Sequence, residues 1–287
     1  MDTPAIQAEN ISYAYNDHQA VNGISFEVAR GEIMGFLGPN GAGKSTTIKI
    51  LTGQISPKGG SARILGMDIT RDDPRIQTRI GVCFEEKNLY SNMSGFENLS
   101  FFASLFGLKS ERIPSLLDRV GLGDAGKDRV KHYSKGMQQR LMVARSLVNT
   151  PEVLFLDEPT DGLDPVSSKT IRAIIREEAG KGTAVLLTTH NMHEADELCE
   201  RVVFLNEGSI HALDSPENLK LKFGQRTVRV RYRTEGVVQE HLVPLDREDT
   251  GDALQQAVAM KGLISIHTQE ATLEDIFVQM TGQGLQT

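Results

Sequence analysis

The residues with the clearest chemistry are Gly38-Pro39-Asn40-Gly41-Ala42-Gly43-Lys44-Ser45, followed by Thr46. Glycines carry no Cβ, so consecutive backbone N–H groups in such a run can turn inward around an anion. A helix beginning near Lys44 adds unpartnered N–H groups and the positive end of its dipole at the same point. Lys44 then supplies a charge for the β- and γ-phosphates, and the Ser45 hydroxyl is placed to ligate Mg²⁺. The preceding Glu32–Leu37 reads as a strand and 45–51 as a helix, which is the setting this loop requires. The plainer reading, a Gly-rich turn with an accidental lysine, does not account for that setting. The segment predicts a nucleotide triphosphate site.

Four further groups fit the same chemistry. The apolar run Val153–Leu156 ends in Asp157-Glu158. Neighbours on a strand face opposite ways, so the chain must turn there for both carboxylates to reach one site. Asp157 would hold Mg²⁺, and Glu158 would act as general base on the attacking water. Two solvated acids capping a strand is the alternative for the pair alone. Leu187-Thr-Thr-His190 closes another strand with an imidazole able to bond the γ-phosphate, although a lone strand-end histidine is more often structural. Tyr15, 29 residues before Lys44, offers a ring that can stack on a base; an edge-strand pair with Tyr13 is the plainer account. Ser134-Lys135-Gly136 precedes a helix expected from about Met137, which makes a second anion site. A chain with one phosphate loop and a separate second anion site suggests a nucleotide shared between two copies.

The elements that must position these groups follow from the hydrophobic pattern. Strand-like stretches at 25–29, 33–37, 61–65, 153–156, 184–188 and 202–205 alternate with helical ones, at 166–180 and near 192–199 among others. Such alternation argues for an α/β fold with a largely parallel, doubly wound sheet. From Met93 to Leu147 the pattern turns helical, with Leu99, Phe102, Leu105 and Phe106 at helical spacing, which predicts an inserted helical subdomain at about 90–147. After Pro216 the composition changes. Strands at 227–233, 237–243 and 263–267, a helix near 252–260 and a last helix opened by Thr272 and Asp275 predict a small α+β domain. The division is therefore 1–220 and 221–287.

At 287 residues the length suits about two domains. A net charge of −7 argues against nucleic acid as the main target. Two cysteines, Cys83 and Cys199, show no metal-ligand spacing and read as reduced thiols of a cytosolic chain. Neither a membrane span nor a signal peptide is legible, so a role at a membrane would require docking.

Taken in order, these motifs resemble the ATP-binding subunit of ABC transporters over residues 5 to about 220. The resemblance implies a P-loop NTPase cassette using ATP and Mg²⁺. It makes Tyr15 the adenine-stacking aromatic, residues 38–46 the Walker A loop and Ser134–Gly136 the signature. Asp157 and Glu158 become Walker B and catalytic base, Asp164 the D-loop aspartate and His190 the switch histidine. It further implies a head-to-tail pair of such subunits, homo- or heterodimeric, and an integral membrane permease that holds the pair at the cytoplasmic face of the membrane. The tail Ala271–Val278 is similar to that of the drug- and sodium-exporter branch, which favours export. Two positions depart from the family. Glu85 stands where a Mg²⁺-coordinating glutamine is usual, and Tyr-Ser-Lys-Gly-Met replaces Leu-Ser-Gly-Gly-Gln. Glu85→Gln is expected to keep ATPase activity and loosen its metal dependence; Glu86 or backbone filling the position is the alternative. Lys135 points to solvent or offsets phosphate charge across the pair. Five of the eleven phenylalanines lie at 84–106, an expected subdomain core, with Tyr90 and Met93 as candidates for meeting the permease. The competing reading is a nucleotide-dependent switch not coupled to transport; a single cassette without heptads or paired cysteines weighs against it.

Overall fold

The computed structural model describes residues 3–71, 74–224, 227–234, 236–245, 250–269 and 271–282. The chain divides into two compact units, one up to Leu213 and one from Asp214.

In the first unit, strands Ile33–Leu37, Val153–Asp157 and Ala184–Thr189 are buried at every position. Continuous apolar runs of this kind suit parallel strands covered on both faces. They lie inside a six-stranded sheet whose order is Ser209–Asp214, Arg201–Asn206, Ile33–Leu37, Ala184–Thr189, Val153–Asp157, Ile80–Cys83. The chain passes from Ala184–Thr189 to Arg201–Asn206 across strand Ile33–Leu37, so connections diverge on either side of it. Crevices at the carboxyl ends of strands beside such a switch point are where ligands bind in open α/β sheets.

A second sheet was not legible in the sequence. Strands His18–Val28, Ile6–Tyr15, Gly59–Ile64 and Met67–Asp68 form an antiparallel layer in that order. The expected strands at 25–29 and 61–65 belong here and not to the parallel sheet. The reason is their alternation: Ile24, Phe26 and Val28 are buried while Ser25 and Glu27 are exposed. A strand with one solvated face suits an antiparallel layer. One core joins both sheets, with the Phe26 and Phe36 rings 4.8 Å apart edge to face.

The helical stretch contains Gly95–Leu105, Ile113–Arg119 and Lys135–Ser146. Its first helix is fixed by a full capping box between Ser94 and Glu97. The buried face carries Asn98, Leu99 and Ala103, and Leu105 is 64% exposed, so the face expected through Leu105 is rotated. Phe102 lies under the Arg145 guanidinium at 4.7 Å.

The second unit holds helix Pro216–Phe223, an antiparallel sheet ordered Val237–Pro244, Thr227–Thr234, Leu263–Gln269, and helices Thr250–Val258 and Leu273–Thr281. Val228, Val230, Val243 and Ala257 form its buried cluster. Thr272 and Asp275 close the capping box that starts the last helix, whose Leu273, Ile276 and Phe277 are buried. A boundary at 220 would cut helix Pro216–Phe223, which Ser215 caps through Asn218 N and Pro216 opens.

Candidate nucleotide site

The parallel register sets the site. Leu37 pairs with Thr189 and Asp157 with Thr188, so three strands end level with one another. The loop after Leu37 leads into helix Lys44–Leu51, whose N-cap Gly43 has φ +104°. A Cβ at Gly43 would sit on the Ala20 carbonyl oxygen, and one at Gly38 on that of Leu205. Glycine is required at both positions, by conformation as well as by space at Gly43.

Lys44 is 5% exposed, and its Nζ donates to Gly38 O at 2.6 Å and Pro39 O at 3.2 Å. The same Nζ is 3.5 Å from Glu158 Oε1. Asp157 is buried; its Oδ1 accepts from the Ser45 hydroxyl at 3.1 Å and from that of Thr188 at 2.6 Å. The turn that brings both carboxylates to one place falls at Glu158, whose φ is +48°. A left-handed glutamate is strained backbone. Its amide is held by the Thr188 hydroxyl at 3.0 Å and carbonyl at 3.2 Å. Glu158 Oε2 then meets His190 Nδ1 at 3.0 Å and the His190 amide at 3.3 Å, and His190 Nε2 lies 3.7 Å from Asp161 Oδ1. Lys44, Ser45, Asp157, Glu158 and His190 are thus brought together.

The other expected residues sit apart from that cluster. Ser134 caps helix Lys135–Ser146 by accepting from Met137 N at 3.2 Å. Gly136 is buried where a Cβ would press on Ser167 Oγ at 2.8 Å and Asp164 Oδ2 at 3.3 Å. Asp164 caps helix Pro165–Gly180 through Val166 N at 3.0 Å and Ser167 N at 2.9 Å, and its bonds to Ser167 hold its carboxyl below the usual range. Lys135 is not simply in solvent: its Nζ lies 3.9 Å from Asp161 Oδ2, at 56% side-chain exposure. Tyr15 is 43% exposed, with its ring edge-on to Tyr13 at 4.9 Å. Glu85 is exposed. Partial desolvation and the charges of Asp157, Glu158 and Asp161 raise its pKa, against Lys44. Tyr90 is exposed and stacks edge-on to Phe101 at 5.1 Å, while Met93 is half-buried.

Thr188, Thr160, Asp161 and Glu194 also belong to this neighbourhood, and sequence reasoning missed them. Thr188 had a signal: it is the first of two threonines that end an otherwise apolar strand, two positions before the histidine. Oxygen donors of Ser45 and Asp157 side by side fit a Mg²⁺ ion that takes one or two protein ligands and completes its shell from phosphate and water. Among the described residues no group of three or more His, Cys, Asp or Glu could hold a metal.

A fold of this kind, with a phosphate loop facing two strand-end carboxylates, is that of a nucleotide-binding P-loop protein. A family model described as ABC transporter matches residues 21–161. A fluoroquinolones export ATP-binding protein of Mycobacterium tuberculosis is 45% identical, covering 99% of this chain and 95% of its own. A daunorubicin/doxorubicin resistance ATP-binding protein of Streptomyces peucetius is 35% identical, covering 98% and 93%. The chain belongs to the ABC transporter family, and the relatives that match it over nearly its whole length are ATP-binding proteins. A solved ATP-binding subunit of an ABC transporter superposes with TM-score 0.71 at 29% identity over 77% of this chain and 93% of that one. A dimeric bacterial ABC transporter cassette shares the fold at TM-score 0.68 and 24% identity, over 73% and 98%. The α/β cassette fold is that of a P-loop NTPase.

Proposed function

We propose that this chain hydrolyses ATP in a head-to-tail pair and that the pair powers an integral membrane permease for export. The observation that carries the reading is Glu158, with one oxygen 3.5 Å from Lys44 Nζ and the other 3.0 Å from His190 Nδ1. Lys44, now on two carbonyls, would turn its ammonium to the β- and γ-phosphates, which bind a cation more strongly than neutral oxygens do. That move leaves Glu158 as an anion beside the γ-phosphate, where it can take the proton of the attacking water. His190, bonded to the same carboxylate, orients it and can meet the γ-phosphate. A Mg²⁺ ion held by Ser45 and Asp157 would neutralise charge on the phosphates. Glu85 is placed to feel the same charges.

Pairing is supported by the signature. Ser134 and Gly136 lie at a helix start that, among the described residues, forms no hydrogen bond with residues 38–46. They present N–H groups to a partner's nucleotide, with Asp164 packed behind them. The exposed Tyr90 with Phe101 offers the permease an aromatic contact. No helix among the described residues is long and apolar enough to cross a membrane, so the subunit would be held peripherally on the cytoplasmic face through that permease. Relatives that match nearly the whole chain carry different cargo names, from fluoroquinolones to daunorubicin and Nod factor, so the family likeness does not single out one cargo.

Glu158→Gln tests this. The variant should bind ATP and lose turnover by about 10²-fold or more. Purified from detergent-solubilised membranes with Mg-ATP, it should bring an integral membrane protein at stoichiometric level. Normal turnover would remove Glu158 as base. A clean dimer without a membrane protein would replace transport by a cytosolic switch.

A further inference from the structure

Helix Met192–Leu198 begins immediately after His190, with Asn191 as N-cap. Glu194 occupies its third position. A glutamate there commonly closes a capping box by accepting from the N-cap amide. This one does not. The Asn191 amide instead donates to Thr189 Oγ1 at 3.0 Å, and Glu194 turns inward to 2% exposure. Met192, Ala195 and Leu198 are buried on the same short helix, so its carboxylate has been taken out of water into apolar company. Burial without a countercharge is costly for a carboxylate, so its few partners decide how it is held.

The partners of Glu194 come from two different segments. Its Oε2 accepts from Thr160 Oγ1 at 2.5 Å and from Thr189 Oγ1 at 3.5 Å. Thr160 lies two residues after Glu158; Thr189 is the residue before His190. Its Oε1 is buried with no hydrogen-bond partner. Burial raises the Glu194 pKa; Arg172, itself engaged with Glu197 at 3.7 Å, acts against that rise and the charge of Glu158 adds to it.

We infer that Glu194 is a positioning residue that ties the segment carrying Glu158 to the strand end carrying His190. The left-handed turn at Glu158 is strained and its amide, among the described residues, is held by Thr188, so a second fixed point downstream steadies its side chain. Glu194 supplies that point at Thr160. Its bond to Thr189 sets the same fixed point for His190. Beside the direct bond from the His190 amide, the 3.0 Å contact between Glu158 Oε2 and His190 Nδ1 is thereby braced by one buried carboxylate bonded to the neighbours of both residues. This role rests on the proposed hydrolysis, in which Glu158 is the base.

The test is steady-state ATPase kinetics on the full chain, with ATP affinity and melting temperature measured on the same samples. Wild type and Glu158→Gln run beside Glu194→Ala, Glu194→Gln, Thr160→Val and the Glu194→Ala/Thr160→Val pair. A displaced base lowers kcat without changing nucleotide contacts, so Glu194→Ala should lose kcat by about tenfold or more and leave ATP affinity unchanged within about twofold. Glu194→Gln keeps an accepting oxygen for Thr160 and should recover most of that loss. Thr160→Val should reproduce part of it, and the double variant should be no worse than Glu194→Ala alone. Wild-type kcat in Glu194→Ala overturns the inference. So does a fall in kcat, affinity and melting temperature together, equal in the Ala and Gln variants, which is what a general packing role gives. Turnover that is absent in wild type, or unaffected by Glu158→Gln, defeats the hydrolysis reading and this inference with it. Failure confined to the Glu194 and Thr160 variants defeats this inference alone.

Discussion

Strand Val153–Asp157 is buried at all five positions, whereas strand Val237–Pro244 is exposed at six of eight. The two belong to different units and do different work. The first is clamped between neighbours on both sides, so its last residue, Asp157, is fixed by packing before any bond is counted. A carboxylate held that way can be placed against Ser45 and Thr188 at stated distances. The second is an edge strand with Val237, Val238 and Leu242 facing water. Its unit relies on a small cluster, Val228, Val230, Val243 and Ala257, and on the helices around it. Chemistry sits where side chains have no freedom; the second unit has little such ground. The relatives divide along similar lines. Export subunits match nearly the whole chain, while the solved cassette leaves about a quarter of it unmatched.

Two glycines with positive φ put the contrast to direct use. Gly43 (φ +104°) has the Ala20 carbonyl where a Cβ would go, and Gly236 (φ +85°) has nothing within 4 Å. Gly43→Ala adds a backbone clash to conformational strain, so it should cost about 4 kcal/mol or more and abolish ATP binding. Gly236→Ala carries strain alone, about 1–2 kcal/mol, and should leave ATP binding intact. Equal effects of the two on nucleotide affinity, measured by titration with a fluorescent ATP analogue, would break the comparison. Between them falls Phe277→Ala. Its ring is fully buried on the last helix, and its removal should destabilise the second unit by about 3–4 kcal/mol. Urea unfolding should show the change, with ATP affinity held at the wild-type value; a matched loss of affinity would mean the cassette depends on that core.

The same contrast explains what was legible. Residues 38–46 name their own chemistry, because few other uses require glycine at 38 and 43 beside Lys44. The buried strands were equally plain as unbroken apolar runs. The antiparallel sheet was missed because strand Ile6–Tyr15 is irregular, with register shifts at Ala8/Ile11, Ile11/Tyr13 and Tyr13/Ala14 that blur its alternation. Leu105 misled because helical spacing reports periodicity but not which stripe meets the core. Glu194 was invisible for a different reason. On sequence it is one acid in Met192-His-Glu-Ala-Asp-Glu-Leu198, and only the fold shows that it, unlike Asp196 and Glu197, points inward.

The smallest expected effect is electrostatic and lies where the second unit begins. Asp214 is held down to about 2 by Lys222, by the Asn218 amide and by the Ser215 backbone. Its folded pKa is below the unfolded value of about 3.9, so the stabilisation is present above pH ~4 and is lost as pH falls towards 2. Lys222 is 59% exposed, so the pair is screened and its contribution should stay under about 1 kcal/mol. Asp214→Asn keeps the cap-like geometry and removes the charge. Its deficit relative to wild type in the urea midpoint of the second unit should therefore be largest near neutral pH and close as the pH approaches 2. A deficit of the same size at pH 7 and pH 2 would show that Asp214 acts through hydrogen bonding to Ser215 and Asn218 and not through its charge. The cassette, whose Asp157 is buried among hydroxyl donors, should show no difference between the two proteins at any pH.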